Sequence, residues 1–258
     1  MILSNFTLGV MLLAGGLFLA MLACLEIGRR IGVRRAAQEG EAARAGAGVV
    51  EGAVFALLGL LIAFTFSGAA SRFDHRRTLI VEEANAIGTA YLRLDLLPAA
   101  ARGELRESFR RYVDARLAVY RAVPDMVAVD AALARATTLQ QEIWSKAVAA
   151  SAGSQVSVLV LPALNQMIDI TTTRTMAGQT HPPLILFALL SGLALLGALL
   201  AGHAMSGSQE RNWLHMATFA FALAGAVYVI VDMEYPRVGL IRVDSFDQVL
   251  FDLRQSMR

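Results

Sequence analysis

Arg72, Asp74, His75, Arg76, Arg77, Glu82 and Glu83 fall within one short stretch of the chain. The four-residue interval from Arg72 to Arg76 puts two guanidiniums on one face of a helix. Repeated by symmetry around an axis, Arg72, Arg76 and Arg77 would form a vestibule that concentrates small anions. The same residues suit a second role, in which they border the membrane, touch lipid headgroups and form Arg–Glu pairs along their own helix. Just ahead of them, Ala56, Leu60 and Phe64 recur at four-residue spacing and share a helix face. In an oligomer these three would line a pore as stacked apolar rings, a constriction that gates by dewetting. In a monomer the same stripe is a lipid or helix contact.

Other chemistry is sparse. No Gly-rich phosphate loop, HExxH, G-x-S-x-G or Cys/His metal spacing occurs, and His75, His181, His203 and His215 are dispersed. No catalytic residue or cofactor is assigned, and an enzyme is not expected. Asp232 and Glu234 are carboxylates that suit a hard cation. No third ligand accompanies them, so no metal site is assigned, and pairing with Arg237 or Arg242 is their expected role. Glu26, Glu51, His203, His215, Asp232 and Glu234 all sit near helix ends, where pairing and snorkelling satisfy them.

The elements that must position these residues are membrane helices. Met1 to Leu25, Ala53 to Ser71, Pro182 to Gln209 and Asn212 to Val231 carry no Asp, Glu, Lys or Arg. Each supplies about 20 apolar residues, enough to span about 30 Å of hydrocarbon. The chain is 56% hydrophobic and only 17% charged, a balance that excludes an ordinary soluble domain. A net charge of +2 gives no basis for nucleic-acid binding. Cys24 is the single cysteine, which excludes an internal disulfide. No basic residue precedes Arg29, unlike a signal peptide, so residues 5 to 27 are expected to stay as a helix.

The fold class is therefore all-α, with four transmembrane helices and a helical extramembrane domain between the second and third. Residues 1–71 hold helices one and two, joined by a basic connector over Gly28 to Gly52. Residues 72–181 form the helical domain, 182–232 hold helices three and four, and 233–258 are the tail. Phe73, Ile80, Ala84, Ile87, Tyr91 and Leu94 extend the helix-two stripe, predicting one continuous helix from about Ala53 to Leu96, before Pro98. Leu105 to Tyr120, Val129 to Ala147 and Val156 to Met176 mark three more helices, the last interrupted or started at Pro162. Helices three and four cover roughly 184–204 and 213–231, and the short loop between them makes them antiparallel neighbours. Pro236 is expected to turn the chain, Gly239 to supply an unusual φ, and Ser245 to cap a last amphipathic helix.

Orientation stays open at this level. Arg29 to Arg44 argue for a cytoplasmic first connector, whereas Arg237, Arg242, Arg254 and Arg258 argue for a cytoplasmic tail. An even number of spans puts both termini on one side.

Two motifs resemble a known family. They are the run Glu82-Glu83-Ala84-Asn85-Ala86-Ile87-Gly88 and the tail Asp232-x-Glu234-x-Pro236-x-x-Gly239-Leu240-Ile241-x-Val243. Together they look like the bestrophin-like domain proteins of bacteria and plants, a resemblance that covers most of the chain. Bestrophins carry a pore-helix Phe, seven residues and then an Arg-aromatic pair; here Phe64 is followed by Thr65 to Ser71 and Arg72-Phe73. The chain lacks the double tryptophan of bestrophins and the Asn that follows their Phe. The resemblance implies a multi-pass protein of the cell membrane, the bacterial inner membrane among them. It also implies a homo-oligomeric anion channel, with membrane lipids and a small anion as partners. The alternative is a non-conducting scaffold or sensor whose helical domain binds a partner.

Overall fold

In a computed structural model the described residues are 2–35, 41–207 and 211–257, with side chains described from residue 7 and again from residue 48. The described residues form eight α-helices: α1 (Ile2–Arg35), α2 (Glu41–Arg93), α3 (Ala99–Ala122), α4 (Met126–Ser151), α5 (Ser157–Gln179), α6 (Leu184–Ala204), α7 (Trp213–Glu234) and α8 (Gln248–Ser256). Among the described residues there is no strand. Four helices among the described residues are long and apolar enough to cross a membrane, within Thr7–Arg35, Gly48–Leu96, Ser157–Gly207 and Trp213–Glu234.

The chain forms two compact units. One comprises Ser4–Ser71 and His181–Tyr235, the other Arg72–Thr180 with the tail from Pro236 onward. Helix α2 contributes to both. Its 53 residues make about 80 Å of unbroken helix, followed by a 3₁₀ turn over Leu94–Leu96. The continuity expected from Ala53 to Leu96 is therefore present, with the last turn tightened ahead of Pro98.

Two boundaries differ from the sequence-based expectation. α1 runs through Arg35 and α2 begins at Glu41, so most of the expected connector is helix. The Ala, Arg and Glu residues of that segment are good helix formers, and polarity alone does not end a helix. Residues 36–40 and the side chains of 41–47 lie outside the described set, Arg44 of the connector among them, as do residues 208–210 of the loop after α6. Pro162 lies inside α5 without ending it, since in the second turn it removes only one backbone bond.

In the first unit α1 and α6 meet through glycines. A Cβ on Gly28 would stand 1.9 Å from the Leu199 carbonyl oxygen, and one on Gly202 would stand 2.0 Å from that of Leu25. Only backbones without side chains at these points can approach so closely. α2 packs on α6 and α7 through Leu58 and Phe55. Leu58 and Phe55 both close on Gly197, and the Phe55 ring meets Phe219 edge-on at 6.2 Å.

The second unit is a helical layer around a continuous core. Ile87, Leu94, Phe109, Tyr112, Leu139, Ile143, Leu164, Met167 and Leu250 are buried there, drawn from α2 and the 3₁₀ turn after it, α3, α4, α5 and α8. Each such apolar side chain stabilises the unit by about 1.5–3 kcal/mol relative to an exposed position. Asp125 caps α4 by accepting from the amides of Val127 and Ala128, both at 3.1 Å. Gly153, at φ 72°, makes the turn from α4 to α5. The tail helix starts at Gln248 after a 3₁₀ turn over Asp244–Asp247, so Ser245 lies inside that turn and is not the cap.

Candidate functional site

Ala56, Leu60 and Phe64 all lie on an exposed side of α2, with Phe64 67% and Leu60 52% exposed. Helical phase puts them on the side opposite Phe55 and Leu58, the pair that anchors α2 to α6 and α7. The exposed stripe continues through Ala63, Ser67 and Ser71, then Asp74, Thr78, Glu82, Asn85 and Thr89. It passes from apolar to small hydroxyl to charged residues along one helix face. Thr65 bonds the Leu61 carbonyl at 2.7 Å, which keeps its hydroxyl satisfied within the apolar half.

The basic residues that follow divide into separate roles. Arg72 is half-buried. Arg76 is buried, donating from Nε to the Ala177 carbonyl at 3.0 Å and from Nη2 to that of Thr180 at 2.8 Å. These are carbonyls at the C-terminal end of α5, which have no partner within the helix, and a guanidinium suits them in charge and geometry. Arg77 pairs with Asp74 at 2.9 Å and stacks over Phe246, 4.3 Å from the ring centroid.

The Glu82-Glu83-Ala84-Asn85 run splits by helical phase. Glu82 and Asn85 are exposed, whereas Glu83 and Ala84 are buried. Glu83 accepts from Arg116 Nε at 2.5 Å, from the Tyr120 hydroxyl at 2.7 Å and from Arg174 Nη1. Arg174 donates from Nη2 to Asp247 at 3.1 Å, and Arg237 grips both Asp247 oxygens, at 2.8 and 3.0 Å. The guanidiniums of Arg174, Arg237 and Arg116 lie 3.6, 4.7 and 5.1 Å from the centroid of the Tyr120 ring. Burial opposes the charge on Arg116, but Tyr120 and Glu83 more than offset it and hold its pKa above the ordinary value. Burial, followed by the Glu83 charge, raises the Tyr120 phenol, so it stays a hydrogen-bond donor.

Sequence reasoning reached Glu83 but not its partners. One signal was readable: Arg116 falls on the buried stripe of α3, four residues from both Tyr112 and Tyr120. A charge on an apolar helix face requires a buried counter-charge.

The tail motif is also inward-facing. Asp232, Glu234, Pro236 and Gly239 are all buried. Tyr228 donates to Asp232 at 3.3 Å, and His181 Nδ1 lies 3.8 Å from Glu234 Oε2 while its ring stacks on Tyr235 at 4.5 Å. Pro236 accepts from the Val243 amide at 3.0 Å, closing the segment between them. Two expectations are corrected here. Arg237 pairs with Asp244 and Asp247, and Arg242 with Asp244, because the tail closes between Pro236 and Val243 and brings them together, so these arginines are engaged there and not with Asp232 and Glu234. Gly239 does not take a positive φ; among described residues Gly153 alone does. No group of three or more His, Cys, Asp or Glu that could hold a metal occurs among the described residues.

The sequence model of the Bestrophin-like domain matches residues 15–245. The chain belongs to the Bestrophin-like domain family. Both motifs that carried the resemblance lie in the matched segment. The fold resembles that of a bacterial bestrophin homologue from Klebsiella pneumoniae, crystallised with a point mutation, at a TM-score of 0.61. Identity is 15%, over 92% of this chain and 98% of the other. No curated protein matches the sequence. Family membership and the four apolar helices make this a membrane protein.

Proposed function

We propose that this Bestrophin-like protein is a homo-oligomeric ion channel, selective for small anions, with α2 lining the conduction path. The observation that carries the reading is the exposed face of α2. Ala56, Leu60 and Phe64 stand on the side opposite the residues that pack α2 into its own unit. A helix that leaves Phe and Leu uncovered needs lipid or further protein to cover them, and a ring of subunits supplies protein and an axis together. Leu60 and Phe64 would form an apolar neck that opposes water entry. Arg72 and Arg77 would line the wider mouth and favour anions, while Arg76 holds the end of α5. The unit built on 72–180 and the tail is the extramembrane part, where its buried ion pairs avoid hydrocarbon. The bacterial inner membrane is the expected location.

The test is flux from liposomes reconstituted with purified protein, chloride against sodium, together with the subunit number from light scattering. Chloride efflux above that of empty liposomes from a ring-shaped oligomer supports the reading. A folded monomer without flux favours a scaffold or sensor.

A further inference from the structure

A pocket of about 290 Å³ opens in the second unit where the end of α3 meets the tail. Its walls are of two kinds. Leu117, Val123 and Phe251 are apolar, and Arg121, Arg237 and Arg242 bring three guanidiniums to the same space. Tyr120 separates it from the Glu83 cluster behind. Small-molecule sites commonly combine apolar walls with a few converging polar groups, and this volume suits a body of about one ring.

The charges around the pocket do not balance. Arg116, Arg121, Arg174, Arg237 and Arg242 are opposed by Glu83, Asp244 and Asp247, so five guanidiniums face three carboxylates. Of the three that line the pocket, Arg121 and Arg242 have terminal nitrogens to spare. Arg121 has no acidic partner among the described residues, and its guanidinium lies 4.6 Å from the Phe251 ring centroid. Stacking on a ring leaves the N–H edge of a guanidinium open for a bidentate anion. Arg242 spends Nε and Nη2 on Asp244, leaving Nη1. Behind the pocket Arg116 Nη1 is buried without a hydrogen-bond partner, so the excess positive charge extends inward from the rim.

We propose that this pocket binds a small organic anion, its carboxylate or phosphate held by Arg121 and Arg242 and its apolar body lying against Leu117 and Val123 beside Phe251. The site is independent of the conduction path and does not require that the protein conduct. Both ligand chemistries share a planar or tetrahedral oxyanion that accepts two parallel N–H bonds.

The experiment is saturation-transfer NMR on the detergent-solubilised full chain, with benzoate, phenyl phosphate and neutral benzamide as probes. Saturation transfer to benzoate or phenyl phosphate, weakened about tenfold or more in Arg121→Gln, is the expected result. Arg121 is exposed and forms no ion pair, so the variant keeps the fold, which thermal unfolding of the same sample checks. Transfer to benzamide as strong as to benzoate would overturn the proposal. So would benzoate binding unchanged in Arg121→Gln, or no transfer to either anion at about 10 mM, the weak end of small-ligand affinity.

Discussion

Arg116 on α3 donates to Glu83 on α2 at 2.5 Å, with the two side chains 1% and 0% exposed. Arg116 depends on Glu83 for its counter-charge, and Glu83 is shared with Arg174. Removing one partner of a buried pair typically costs about 3–5 kcal/mol because it leaves an uncompensated charge. Glu83→Ala strands Arg116 and Arg174 together, so its cost is expected at the upper end of that range. Glu83→Gln keeps the acceptor oxygen and should lose less. Trp144, packed against the same core, reports unfolding of this unit by fluorescence. A Glu83→Ala protein with an unchanged denaturation midpoint would contradict the structural role assigned to the cluster.

Gly28 and Gly202 lead to a separate prediction about α1 and α6. The atoms a Cβ would strike are backbone oxygens, at 1.9 and 2.0 Å, and no rotamer change can move them aside. Gly28→Ala and Gly202→Ala should each force the helices apart and lower stability by about 1–3 kcal/mol or more. Gly192 on α6 meets nothing within 4 Å, so Gly192→Ala should be neutral or slightly stabilising through better helix propensity. The measurement is the melting temperature of the purified protein in detergent. Equal melting for all three variants would rule out the close approach.

The helices were legible where local physics decides them. α2 carries an apolar stripe through Phe73 to Leu94, and the helix persists until the chain meets Pro98. Asn212 caps α7, accepting from the His215 amide at 3.3 Å, and the helix ends just short of Pro236. The partners of Glu83 were not legible, because pairing α2 with residues 116, 120 and 174 depends on how three helices pack. Gly28 was equally hidden, since a glycine next to an Arg pair reads as the start of a connector until α6 is seen against it. Gly239 misled for the opposite reason: a glycine shortly after Pro236 suggested an unusual φ, yet the tail closes through the Val243–Pro236 bond without a positive one.

Tyr112 and Tyr120 predict how the second unit responds to alkali. Burial is the largest cause raising both phenols above 10.0, and for Tyr120 the Glu83 charge adds to it. A phenol whose folded pKa lies above its unfolded value contributes stability that is complete below about pH 10 and is lost as pH rises beyond it. Stability should therefore be flat from pH 7 to about 9.5, then fall by up to about 1.4 kcal/mol per pH unit for each tyrosine. Denaturant midpoints at pH 9, 10 and 11 measure this. The double variant Tyr112→Phe, Tyr120→Phe should show a shallower alkaline slope, and a slope equal to wild type would exclude these phenols as its source.

Phe64 bears on the channel reading itself. It is more exposed than Leu60, its partner in the neck, and it lies just ahead of the small hydroxyl residues Ser67 and Ser71. An apolar ring of this kind raises the free energy of water in the constriction, so shortening the side chain should ease hydration. Phe64→Ala is expected to increase chloride efflux from liposomes without changing oligomeric state. Arg72→Glu is the matching test of selectivity, because it reverses charge at the mouth and should raise sodium flux relative to chloride. Arg76→Glu is unsuited to that purpose, since Arg76 binds the Ala177 and Thr180 carbonyls and its reversal should destabilise the end of α5. Faster chloride efflux in Phe64→Ala, with selectivity shifted only in Arg72→Glu, would assign neck and mouth to different stretches of α2. Unchanged efflux in Phe64→Ala, from a wild-type protein that does conduct, would move the constriction off this stripe.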